Sequence, residues 1–148
     1  MSEQTLQPRY LTGAGGKEYD WMRDHIFVKL TGAETGGLCT LIQDNLKPGF
    51  DLGLHLHRRH TEVFYILDGE IEFTVGDDMF TAGAGAVIYI PPGIPHAAKS
   101  DESGRMLMLY TPGGFDEFLA ELSRLTPEQS NDQALMAAIN EKYDNIIL

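Results

Sequence analysis

Four side chains are spaced to suit a single metal ion. His55, His57 and Glu62 lie in Gly49-Phe-Asp-Leu-Gly-Leu-His55-Leu-His57-Arg-Arg-His-Thr-Glu62, and His96 closes Pro91-Pro-Gly93-Ile-Pro-His96. Imidazole nitrogens and a carboxylate form a donor set that Fe, Mn, Ni, Zn or Cu accepts. An ion that prefers five or six ligands would keep positions open for water, O2 or a chelating substrate. The chemistry therefore depends on whether the chain can bring these four groups to one point.

Local geometry suggests how it could. His55 and His57 are two apart, so on one strand they point the same way. Glu62 has the wrong parity to join them on a straight strand, and a turn or bulge through Arg58-Arg59-His60-Thr61 is expected to correct this. His60 falls in that turn and is read as a surface or supporting histidine, not a ligand. Asp68-Gly69 between apolar runs signals a β-hairpin, which would pair Phe64 with Phe73 and Glu62 with Val75. Glu62, Phe64, Ile66, Ile71, Phe73 and Val75 then share one face, and Glu62 is the only polar member. A carboxylate on a core face must be paired, protonated or metal-bound, because an isolated buried charge is strongly unfavourable. His96 follows a proline-set turn that delivers it at the start of a strand.

Beyond these residues, short apolar runs alternate with turn signals: His25–Leu30, Leu38–Gln43, Thr61–Leu67, Ile71–Val75, Ala86–Ile90 and Met106–Thr111. Many short strands with Gly, Pro and Asp turns predict an all-β sandwich or barrel. Residues 1–24 read as an irregular arm or edge segment, 25–111 as the β domain and 112–148 as a helical segment. In the last of these, Phe115, Phe118, Leu119 and Leu122 follow helical spacing. Thr126-Pro127-Glu128-Gln129 predicts a capped second helix reaching Tyr143. Both helices are expected outside the sheets, in a structural or dimer-contact role.

Composition narrows the function classes. The chain has 148 residues and a net charge of −11, which argues against nucleic acid or an anionic membrane surface as partner. Cys39 is the single cysteine, so no intrachain disulfide can form and a cytoplasmic setting is the simplest fit. No signal peptide or membrane span is expected.

The spacings resemble the two motifs of the cupin superfamily. Gly49, His55, His57, Glu62 and Gly69 match the first motif, and Gly85, Pro91, Gly93 and His96 match the second, whose usual final asparagine is replaced by Ser100. Pro112–Phe115 and Lys142-Tyr143 are similar to the C-terminal segment of small quercetin-dioxygenase-like cupins. The resemblance implies a β-jelly-roll barrel with one or two helices outside, a three-histidine, one-glutamate metal site, and a homodimer. The implied reaction is dioxygenase-like, on an enol, phenol or diketone chelated to the metal, with Glu62 as ligand or general base. A redox-neutral isomerase, cyclase or lyase and a non-catalytic small-molecule sensor remain alternatives. Phe64, Phe73, Tyr89, Met106, Met108 and Tyr110 are candidates to line the substrate pocket.

Overall fold

A computed structural model describes residues 5–148; residues 1–4, where the signal-peptide reading begins, lie outside the described residues. Two antiparallel sheets face each other in a jelly-roll-like sandwich. The first contains β1 (Lys17–Asp20), β2 (Asp24–Leu30), β3 (Thr40–Leu46), β5 (Thr61–Asp68), β8 (Val87–Ile90) and β10 (Gly104–Thr111), in the order β1-β2-β3-β10-β5-β8. The second contains β4 (Phe50–Leu56), β6 (Ile71–Val75), β7 (Asp78–Ala82), β9 (His96–Ser100) and β11 (Ile146–Ile147), in the order β11-β4-β9-β6-β7. The core between them is built by alternation. Ile42, Phe64, Ile66, Ile71, Phe73, Ile90 and Met106 all point inward and are buried.

Asp68-Gly69 does not make a hairpin. β5 pairs with β8 and β10, whereas β6 pairs with β7 and β9, so this turn carries the chain from one sheet to the other. Phe64 and Phe73 meet edge to face across the sandwich, with ring centroids 5.1 Å apart, and are not a cross-strand pair. The inward set inferred from the hairpin survives because each strand alternates independently of its partner. Gly69 has φ +85°, and a Cβ there would lie 2.9 Å from Gly104 Cα and 2.9 Å from Ser103 O, so the crossover demands glycine.

The arm contributes β1 as an edge strand paired to β2. The C-terminal segment holds α1 (Phe115–Ser123), α2 (Pro127–Ser130) and α3 (Gln133–Lys142) before returning to the sheet as β11. The capping box at Thr126 forms with Gln129 as the spacing predicts. The expected long helix nevertheless stops at Ser130, because Asp132 accepts from Leu135 N at 3.1 Å and caps a new helix. α1 buries Phe115, Phe118 and Leu119. β11 then pairs beside Leu56 and His55, so the segment read as an outside helical appendage reaches the strand that carries the histidines. No helix among the described residues is long and apolar enough to cross a membrane.

Candidate metal centre

The two sheets supply the four groups from opposite sides. His55 is near the end of β4 and lies opposite His96, the first residue of β9. Phe50, not an odd-numbered neighbour, faces inward at the start of β4, so a straight strand would turn His55 outward. A register shift between Leu52 and His55 reverses the parity, and His55 and His57 then face the interior. The chain crosses to the first sheet through residues 58–60. Glu62 enters from β5, flanked in register by Ile90 and Tyr110.

His55, His57, Glu62 and His96 are all buried, and one ligand atom from each lies within 4.8 Å of the others. Every histidine is anchored through Nδ1 to a backbone carbonyl: His55 to Gly53 at 2.7 Å, His57 to Asp144 at 2.8 Å, His96 to Ile94 at 2.9 Å. If Nδ1 carries the donated proton, Nε2 of each neutral ring turns a lone pair toward the centre, as metal ligation requires. Nε2 of His57 and of His96 lies 3.0 Å and 2.8 Å from Glu62 Oε2. Glu62 Oε1 has no partner, although the residue is fully buried. An orphaned carboxylate oxygen amid three inward-turned imidazoles fits a bound cation.

The electrostatics favour an anionic Glu62. Burial opposes ionisation of Glu62, but hydrogen bonds from His57 and His96 outweigh it and hold the carboxyl near 2. Burial also disfavours the His57 imidazolium, yet Glu62 and the Asp144 carbonyl raise its pKa above the ordinary value. His55 falls to about 4, chiefly through burial and then through His96. It is therefore neutral and ready to ligate at physiological pH.

His60 lies outside the cluster, and its Nδ1 meets Asp144 Oδ2 at 2.7 Å. Asp144 is the supporting residue that sequence reasoning missed. Its carboxylate accepts backbone N–H bonds from Arg58 (2.7 Å), Arg59 (2.8 Å) and His60 (3.1 Å), while its carbonyl holds His57. It does so with φ 60°, the one left-handed non-glycine among the described residues. Lying more than eighty positions from His57, it left no local pattern to find.

A cavity of about 340 Å³ opens beside the cluster, with His55, Met108, Tyr110 and Phe115 in its wall. Of the six pocket candidates, Met108 and Tyr110 line it. Phe64, Phe73 and Met106 are buried core instead. Tyr89 is a correction. β8 alternates with Ile88 and Ile90 inward, which leaves Tyr89 on the outer face and 63% exposed. Phe115, which stacks on Tyr110 with centroids 3.9 Å apart, and Phe118 belong to the cavity, and both were read only as helix packing.

Known proteins agree with this geometry. A family model described as "Cupin domain" matches residues 44–111, which hold all four clustered side chains. The quercetin 2,3-dioxygenase of Bacillus subtilis is 28% identical over 107 residues, 72% of this chain and 32% of that protein. The chain thus spans about a third of the length of the curated relatives it matches. Among solved structures, KdgF from Halomonas sp. has a TM-score of 0.67 at 15% identity, covering 75% of this chain and 99% of that one. An RmlC-like cupin from Shewanella frigidimarina has a TM-score of 0.64 at 19% identity, covering 76% and 99%.

Proposed function

We propose that this chain, which carries a cupin domain over residues 44–111, is a metal-dependent oxidoreductase. It directs O2 onto a small enol, phenol or diketone chelated to one divalent transition metal. The observation that carries the reading is the buried cluster of His55, His57, Glu62 and His96 at the edge of an apolar, aromatic-lined cavity. Similarity to a quercetin dioxygenase favours an oxygen-dependent reaction over the other chemistries hosted by this fold. A cavity walled mainly by carbon, with aspartates at its polar points, disfavours a small dianionic substrate.

The ion would supply Lewis acidity and open positions at which substrate oxygens and O2 are brought together. The protein's residues do the rest. Nδ1 bonds to Gly53, Asp144 and Ile94 fix the three rings, so that little reorganisation accompanies ligation. While Glu62 accepts from two imidazoles it is a weak base. With a metal held by His57 and His96 those hydrogen bonds would be lost, and Glu62, whose Oε1 has no partner, would be the group able to take a proton from a substrate hydroxyl. Tyr110 and Phe115 pack edge-on against His57 and keep bulk water from that side.

Screening enols and flavonols with metal-reconstituted protein in air and under argon tests the reading. Turnover is expected in air only, with O2 consumed. Equal turnover under argon would replace it with a redox-neutral isomerase, cyclase or lyase, and ligand binding without turnover in either atmosphere would make the protein a sensor.

A further inference from the structure

Among the described residues, only two buried side-chain polar atoms have no hydrogen-bond partner: Glu62 Oε1 and Asp44 Oδ1. The first belongs to the metal cluster. The second has no such explanation. Asp44 is 1% exposed and lies on the inward face of β3, between Ile26 of β2 and Met106 of β10. It lines the same cavity as His55, and Asp24 lies beside it. Burial, then the charge and hydrogen bond of Asp24, drive its carboxyl well above the ordinary range. Burial raises the Asp24 carboxyl as well, while its hydrogen bond with Asp44 and the charges of Lys47 and His25 work the other way. Asp44 is thus the neutral member of the pair, and its carboxyl stands in the wall of an otherwise apolar space.

A buried acceptor without a partner is unfavourable unless something bound there satisfies it. The distance is suggestive. Glu62 is in register with Tyr110 and Asp44 with Met106, four residues apart along β10, or roughly 14 Å at 3.4 Å per residue. Aromatic and aliphatic side chains line the space between.

We infer that Asp44 is a specificity-determining residue. The carboxyl oxygen that Asp24 does not engage accepts from a hydroxyl or N–H at the far end of an elongated apolar substrate whose other end reaches the metal. The substrate class is thus a bifunctional, aromatic-sized molecule with a metal-binding oxygen group at one end and a neutral donor at the other. This rests on the reading of the cluster as a substrate-chelating metal site.

The test uses full-length protein loaded with Co(II) and a matched pair of probes: biphenyl-4-hydroxamic acid and its 4′-hydroxy derivative. The cobalt absorption spectrum reads ligation of the common head group, and calorimetry reads affinity. Wild type is expected to bind the hydroxylated probe about ten-fold more tightly. Asp44→Leu should abolish that preference while still binding the parent probe. Asp44→Asn can donate its amide to Asp24 and keep a free carbonyl oxygen, so it should retain the preference. Equal affinity of wild type for both probes, or an undiminished preference in Asp44→Leu, overturns the inference but leaves the metal site standing. Failure of either probe to alter the cobalt spectrum overturns the substrate-chelating reading and this inference with it.

Discussion

Replacing Asp144 should loosen the metal centre without touching a ligand. Its carboxylate accepts four hydrogen bonds, three from the backbone of residues 58–60 and one from His60. Arg58 and Arg59 are exposed, so water can replace part of what is lost, and each bond is counted near 1 kcal/mol. Asp144→Gly should then be destabilised by about 3–4 kcal/mol. Asp144→Ala should lose about a further 1 kcal/mol, because alanine is strained at φ 60° where glycine is not. Asp144→Asn keeps one acceptor oxygen and tolerates the left-handed backbone, and should lose only about 1–2 kcal/mol. For a chain of this size, 3–4 kcal/mol corresponds to a Tm lower by roughly 10 °C. Because the Asp144 carbonyl also holds His57 Nδ1, metal affinity in the alanine variant should fall by about 10- to 100-fold. Urea unfolding and metal titration against a competing chelator measure the two effects. A folded Asp144→Ala protein with wild-type metal affinity, or alanine and glycine variants of equal stability, would refute this reasoning.

Two further outcomes follow from the fold and the buried acids. Gly69→Ala should cost about 2–4 kcal/mol in urea unfolding while leaving metal stoichiometry intact, because the crossover has a positive φ and no room for a Cβ. Asp44 is protonated when folded and ionised when unfolded between its ordinary pKa of 3.8 and about 9. The folded state therefore holds the extra proton, and stability from this group falls as pH rises through that window. Asp44→Asn should remove the slope, so that it matches wild type near pH 4 and exceeds it near pH 8 in denaturation measured across pH; a gap that does not grow with pH would contradict the assignment.

Much of the site was legible because its determinants are local. The two-residue spacing of His55 and His57, the proline turn before His96 and the apolar alternation around Glu62 each act over a few residues. What the sequence concealed was long-range. Asp68-Gly69 has the composition of a hairpin turn, but β5 pairs with β8 and β10 and β6 with β7 and β9, and a turn signal does not specify which sheet the chain enters next. The register shift that turns His55 inward depends on how β4 meets β9. Asp144, Phe115 and Phe118 reach the site from the C-terminal segment, whose helical periodicity shows that it packs but not on what. Tyr89 was misplaced for a simpler reason: alternation along β8 puts Ile88 and Ile90 inside, so the aromatic residue faces outward.

Metal content measured by elemental analysis, on protein purified without added metal or chelator and then reconstituted, addresses the four-residue centre most directly. Wild type should hold one equivalent of a divalent transition metal per chain, whereas His55→Ala and His96→Ala should hold far less while keeping the β-rich circular dichroism of the parent. Wild-type protein that takes up no metal, or variants that retain a full equivalent, would contradict a centre built from His55, His57, Glu62 and His96.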